Sequence, residues 1–366
     1  MMKKYLCAAA LFSLLVISPA THGGMTIEQL IAQSGLVEGA TSTREHPDWD
    51  PTRPVIVRDM GIDPEFLEDL KYAERLAVVS SVDEALQYAA DAGAIIGFCD
   101  KALMDAAPHV TWVQIYSAGA ERCLATEKFA TGEVLLTNMQ KMSSPIIAEH
   151  AIALMLALTR GLPVFAAAME DGRWARDRAS VPAMTSVEGK TLLVLGLGGI
   201  GIEVARRAAA LGMRVVGTRN SSREGPEFVD YVGLSDEMLA LAAEADVVVN
   251  ALPLTDSTRG LVAAEFFAAL DGAYFINVGR GATVDSDALL DALANGNVAG
   301  AGLDVTDPEP LPADHPLWTR SDVLITPHVA GRGGDRTRHQ LLLIENLRRF
   351  YQGDALYNIV DPDQGY

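Results

Sequence analysis

Three short stretches hold the side-chain types needed to move a hydride and a proton together. They are Ile276-Asn277-Val278-Gly279-Arg280-Gly281, Leu303-Asp304-Val305-Thr306-Asp307-Pro308-Glu309-Pro310 and Ile325-Thr326-Pro327-His328-Val329-Ala330-Gly331, each at the end of an apolar run. Arg280 is suited to clamp a carboxylate in a two-pronged fork and polarise the adjoining ketone. His328 is suited to protonate the alkoxide that forms as hydride arrives. Glu309 would bond the imidazole, orient it and favour its protonated form. Asp307, two residues earlier, competes for that role. The plainer readings are a structural arginine between strand and helix and a hydrogen-bonded histidine at a strand end. His150 reads as a helix-packing residue rather than a catalyst.

A hydride needs a carrier. Gly196-Leu197-Gly198-Gly199-Ile200-Gly201 follows the apolar run 191–195 and opens a helical pattern over 202–211. A G-x-G-x-x-G between strand and helix is a dinucleotide-binding turn. Gly196 permits the tight turn, Gly198 lets backbone approach a pyrophosphate, and Gly201 lets helix pack on strand. The Gly199 and Ile200 amides at the helix N-terminus add partial positive charge. The second strand of the unit ends in Thr218-Arg219-Asn220, where an NAD-selective site would carry an acid for the ribose hydroxyl. A guanidinium there pairs with a 2′-phosphate, which favours NADP. An arginine stacked on adenine and accepting NAD as well is the competing reading.

The elements that must position these groups follow from the patterning. Short apolar runs at 54–58, 76–79, 94–98, 110–116 and 134–136 alternate with helical patterns near 63–72, 82–91 and 102–107. A long apolar helix spans 144–160, entered through Pro145 and closed by Gly161 and Pro163. A second alternation places strands at 191–195, 214–218, 246–251, 273–278, 300–304 and 323–326, and an amphipathic helix runs over 335–351. Such alternation predicts α/β architecture with parallel sheets covered by helices on both faces. We expect two doubly wound parallel-sheet domains, a flavodoxin-like substrate domain and a Rossmann dinucleotide-binding domain. The substrate domain takes residues 54–143 plus 332–366, because the last helix has most economically to cross back, and the dinucleotide-binding domain takes 144–331. Residues 21–53, with Pro47 and Pro51, read as an irregular lead-in. Lys141 and Met142 fall at the hinge, either facing the cleft or solvated.

Taken together, these motifs resemble the D-2-hydroxyacid dehydrogenase family, of the glyoxylate/hydroxypyruvate reductase kind, over roughly residues 54–352. Further matches are Ala148-Glu149-His150, Leu252-Pro253-Leu254-Thr255 and His315-Pro316-Leu317-Trp318. The resemblance implies Arg280 as substrate-binding catalytic arginine, Glu309 as histidine partner and His328 as general acid/base. It implies that Val278, Gly279, Arg280, Asp304, His328 and Gly331 line the nicotinamide half, with Leu252 and Pro253 beside the cofactor. Asn220 joins Arg219 at its adenosine end. It implies that Ala118 and Gly119 hold the substrate carboxylate through backbone amides, and that the protein is a homodimer. The expected reaction is reduction of a small 2-keto acid (glyoxylate, hydroxypyruvate or pyruvate) to the D-2-hydroxy acid, with phosphite oxidation still open. Two departures stand out: the substrate loop continues Ala120-Glu121 where the family has Val-Asp, and Arg219 replaces an acid.

Composition narrows the alternatives. The 366-residue chain carries a formal charge of −19 with its basic residues scattered, which argues against nucleic acid. Lys3 and Lys4, an apolar run over 5–17 and Ser18-Pro19-Ala20 have the three parts of a secretory signal peptide over residues 1–20. The run is too short for a stable membrane span. The leader predicts a periplasmic or secreted protein; a start at Met25 predicts a cytoplasmic one. Outside the leader, Cys99 and Cys123 form no C-x-x-C pair, so no metal site is expected, and buried free thiols are favoured over a disulfide. Two rivals from other classes are a dinucleotide-sensing regulator or scaffold on the same fold and an exported solute-binding protein. Turnover with a reduced nicotinamide separates the first, and the glycine turn argues against the second.

Overall fold

The computed structural model describes residues 24–59, 72–176, 184–220, 222–334 and 336–365. The leader and most of the helix expected near 63–72 lie outside the described residues.

Two parallel sheets organise the chain. The first contains β1 (Val55–Arg58), β2 (Leu76–Val79), β3 (Ala94–Ile96), β4 (Trp112–Gln114) and β5 (Leu135–Thr137), in the order β2-β1-β3-β4-β5. That is the flavodoxin-like order. The second contains β6 (Thr191–Leu195), β7 (Arg214–Arg219), β8 (Tyr231–Leu234), β9 (Val247–Asn250), β10 (Ala273–Asn277), β11 (Val298–Leu303) and β12 (Val323–Ile325), in the order β12-β11-β10-β9-β6-β7-β8. It is a Rossmann sheet whose order reverses between β6 and β9, and a ligand crevice opens beyond their carboxyl ends. Strands such as Leu192-Leu193-Val194-Leu195 and Val247-Val248-Val249 are apolar throughout because both faces are covered.

The helix Ser144–Thr159 belongs to the second lobe: Ala148, Ala151, Met155 and Leu158 are buried with Val194, Val204 and Ile276. The last helix, Thr337–Gln352, returns to the first lobe. Its Leu342, Leu347 and Phe350 are buried with Val55, Ile96 and Trp112, and the Phe350 and Trp112 ring centroids are 5.2 Å apart.

Several expectations need correction. The segment 21–53 is not irregular throughout, for it contains the helix Ile27–Ser34. Thr26 caps that helix in a reciprocal box with Gln29, and Leu30 is buried beneath Thr337–Gln352. Pro163 does not end the helical region; it occupies the first turn of a further helix, Leu162–Glu170, after Gly161 turns the chain at φ +64°. The helix expected over 82–91 is only Val82–Ala85, and β8 adds an edge strand that the patterning did not predict. Cys99 and Cys123 are not free thiols: they form a disulfide with Cα atoms 5.5 Å apart, tying the loop after β3 to the helix Glu121–Leu124.

Candidate active site

The glycine turn sits at the switch point between β6 and β9. Gly196 has φ +87°, its amide donates to Thr218 Oγ1 at 3.3 Å, and Leu197 donates to the Thr218 carbonyl at 2.9 Å. A Cβ on Gly201 would lie 2.1 Å from the Gly196 carbonyl oxygen, so only glycine lets the helix Gly199–Ala210 start this close to the strand. A Cβ on Gly198 would meet nothing within 4 Å, which leaves open space for a phosphate against the backbone. A cavity of about 300 Å³ lies there, with Leu197, Gly198, Gly199 and Arg219 in its wall. The residues present therefore fit a dinucleotide. The Arg219 Nε is buried without a hydrogen-bond partner among the described residues, as befits a guanidinium awaiting an anion. Asn220 accepts from Ser235 Oγ at 3.4 Å.

Three adjacent strands, β10, β11 and β12, deliver Arg280, Glu309 and His328 to one edge of the sheet. The Arg280 backbone is pinned from below. Its carbonyl accepts from Thr283 Oγ1 at 2.7 Å and Asn277 Nδ2 at 3.4 Å, and buried Asn250 bonds both Asn277 and Thr283. Val278 is buried, and Gly279 donates its amide to Asn277 Oδ1 at 3.1 Å. The Leu252 amide is bonded to Asn250 Oδ1, and the Pro253 carbonyl to Thr258.

His328 Nδ1 lies 2.9 Å from Glu309 Oε2, and Glu309 Oε1 accepts from the Thr306 amide at 3.2 Å. Glu309, not Asp307, is thus the partner. A carboxylate acceptor places the proton on Nδ1 and leaves Nε2 to exchange protons with a substrate. His328 adopts φ +52°, a left-handed conformation that costs free energy for a non-glycine residue. Asp304 holds it there: the buried carboxylate accepts from the Val329 amide at 2.9 Å, the Ala330 amide at 3.0 Å and Thr326 Oγ1 at 2.6 Å. His150 joins this frame through Thr326 Oγ1 at 2.9 Å. Asp304 therefore shapes the loop that precedes Gly331 and carries His328.

The first lobe meets this edge through residues 117–121. Asn138 bonds the Ala118 carbonyl at 2.7 Å and Ser117 Oγ the Gly119 carbonyl at 2.8 Å, while no described group accepts from the Ala118 or Gly119 amide. Glu121, singled out in the sequence only as a departure, proves to be the cross-lobe partner of Arg280, with Nε to Oε1 at 3.0 Å. Nη1 of Arg280 donates to the Gly279 carbonyl at 2.9 Å, and the guanidinium lies against Gly119. Among the described residues no cluster of His, Cys, Asp and Glu could hold a metal ion.

Residues 152–330 match the family model described as D-isomer specific 2-hydroxyacid dehydrogenase, NAD binding domain. Glyoxylate/hydroxypyruvate reductase B of Enterobacter sp. (strain 638) is 33% identical over 280 residues, covering 75% of this chain and 86% of the relative. The chain belongs to the D-2-hydroxyacid dehydrogenase family. Human glyoxylate reductase/hydroxypyruvate reductase is likewise 33% identical, over 265 residues covering 70% of this chain and 79% of that one. A D-isomer specific 2-hydroxyacid dehydrogenase from Xanthobacter autotrophicus Py2, solved with NADPH and MES, superposes with TM-score 0.70 at 29% identity and covers 86% of this chain and 100% of that one. The Glu121–Arg280 pair therefore joins the two lobes of this dehydrogenase beside the loop 117–121.

Proposed function

We propose that the protein is an NADPH-dependent reductase that converts a small 2-keto acid of the glyoxylate, hydroxypyruvate or pyruvate type to its D-2-hydroxy acid. The observation that carries this reading is the His328–Glu309 pair on the same sheet edge as Arg280, beside a glycine turn with room for a dinucleotide. Relatives named as glyoxylate/hydroxypyruvate reductases and a neighbour solved with NADPH support it. Arg219, at the end of β7, favours the phosphorylated cofactor.

When bound, a reduced nicotinamide supplies the hydride. The chain does the rest. Arg280 fixes the substrate carboxylate and draws charge from the keto oxygen, aided by the Ala118 and Gly119 amides. His328 donates the proton from Nε2 to that oxygen, and Glu309, 2.9 Å from Nδ1, holds the ring in place during transfer. Asp304 and Thr326 keep the loop in place. Loss of reduced-nicotinamide absorbance on adding glyoxylate or hydroxypyruvate tests the reading, and no turnover with either rejects it.

Two finer points belong to the same proposal. The protein is a homodimer joined through the segment after Ser144–Thr159, where Leu162, Met169, Trp174 and Met184 leave large apolar surface in solvent. Light scattering checks this, with a monomer at micromolar concentration as the contrary result. The protein is also exported, a reading supported by the leader and by the Cys99–Cys123 disulfide. A reporter fused to residues 1–24 that is active only in the cytoplasm would reject export.

A further inference from the structure

Lys141 is the residue of the hinge that the chemistry above leaves unused. It has φ +71°, the left-handed region that a lysine enters only at a cost. Its side chain lies over the glycine turn: a Cβ built on Gly199 would stand 3.0 Å from Lys141 Cγ and 2.7 Å from Ser144 Oγ. Its ammonium donates to the Gly35 carbonyl, the C-cap of Ile27–Ser34. An ammonium has three donors, so two remain for another acceptor.

The surroundings say what acceptor that is. Lys141, Arg219 and Arg338 line one cavity with Gly198, Gly199 and Glu203. Glu203, the acid in that wall, is already engaged by Arg206 at 2.7 Å and by Arg207. Among the described residues Arg338 bonds Ser34 Oγ alone, at 2.7 Å, and its Nε, like that of Arg219, is buried with no partner there. Among the described residues Lys141, Arg219 and Arg338 have no carboxylate at ion-pair distance, although Glu203 attracts Arg338 across the cavity, and all three line it beside the helix N-terminus in a chain whose formal charge is −19. Cations concentrated in a cleft against the sign of the whole molecule are an anion site.

We propose that Lys141 is a cofactor ligand delivered from the hinge, binding the pyrophosphate at Gly199, and that the helix Ile27–Ser34 is the strut that positions it through Gly35. The proposal rests on the reading of the glycine turn as a dinucleotide site. Arg219 takes the 2′-phosphate, and Arg338 shares the cavity while tying the strut to the last helix. Because Lys141 is outside the second sheet, the pyrophosphate links the two lobes and the N-terminal strut in one contact set. The strained backbone of Lys141 fits this role, since glycine would relieve the conformation but could not reach the anion.

The test is equilibrium binding by calorimetry on the full-length protein, comparing wild type with Lys141→Gly, a change that also removes the backbone cost. NADP⁺, NAD⁺ and ADP contain the pyrophosphate, whereas adenosine 2′-phosphate does not. Loss of one charge-assisted phosphate contact should raise the Kd of the first three about tenfold. The Kd of adenosine 2′-phosphate should stay unchanged, and the melting temperature should not fall. Lys141→Arg should recover most of the affinity. Equal Kd values for ADP in wild type and Lys141→Gly overturn the proposal while leaving the dinucleotide site intact. A uniform loss that includes adenosine 2′-phosphate overturns it too, because it shows a general distortion. A wild type that binds neither NADP⁺ nor ADP overturns the reading of the turn itself.

Discussion

In the proposed mechanism Glu121 occupies the guanidinium that the substrate carboxylate would take, and the cost of that occupancy is measurable. Its Oε1 is 3.0 Å from Arg280 Nε, and no other described acid pairs with Arg280. Unit charges about 4 Å apart attract by about 4 kcal/mol at an effective dielectric of about 20. The two side chains are 29% and 37% exposed, so solvent screens the pair strongly. Screened pairs of this kind are worth up to about 1 kcal/mol. An arriving carboxylate must displace or share Glu121 and also feels its negative charge. Glu121→Gln keeps the shape and one acceptor while removing the charge. We expect the KM for glyoxylate to fall about fivefold, the equivalent of about 1 kcal/mol, with kcat nearly unchanged, since the change acts on binding and transition state alike. Steady-state kinetics at low salt is the assay, and added salt should shrink the difference between the enzymes. A KM that rises in Glu121→Gln would refute the reasoning and show that Glu121 orients Arg280 rather than competing for it.

Three other perturbations probe separate features. Arg219→Asp removes the proposed 2′-phosphate partner and should raise the KM for NADPH by about 10- to 100-fold while sparing NADH; an unchanged cofactor ratio would dismiss Arg219. Reducing the Cys99–Cys123 disulfide reopens a loop of 24-residue separation and should lower unfolding free energy by about 3 kcal/mol, seen as an earlier denaturation midpoint with dithiothreitol. The His339 imidazole, held 3.0 Å from Ser143 Oγ, is pushed below its usual 6.5 by burial and then by the Arg338 and Arg336 cations. The unfolded chain takes up a proton that the folded chain resists, so stability is full above about pH 6.5 and declines as pH falls through that value. Thermal scans of His339→Leu should show a flatter acid limb, and parallel curves would contradict it.

The strands and the positions of the candidate site stretches were legible because their signals are local. Buried parallel strands such as β6 and β9 are unbroken apolar runs, and the glycine turn, Arg280, Glu309 and His328 each lie within a few residues of a strand end. What escaped depends on distant partners or on backbone geometry. Glu121 and Arg280 are 159 residues apart, and nothing near either announces the other. The φ of Lys141 cannot be read from Gln140-Lys141-Met142. Two cysteines at a separation of 24 carry no geometry, so their pairing had to come from the fold. The helix Ile27–Ser34 did leave a mark, the Thr26/Gln29 capping box, which the prolines further along obscured.

The most direct test of the proposed mechanism removes the proposed proton donor, His328. In His328→Ala, kcat for glyoxylate reduction with NADPH should fall by about 10²–10⁴, the usual worth of a positioned general acid, while the Kd for NADPH stays at the wild-type value. A His328→Ala enzyme that still turns over within a few-fold of wild type would contradict it.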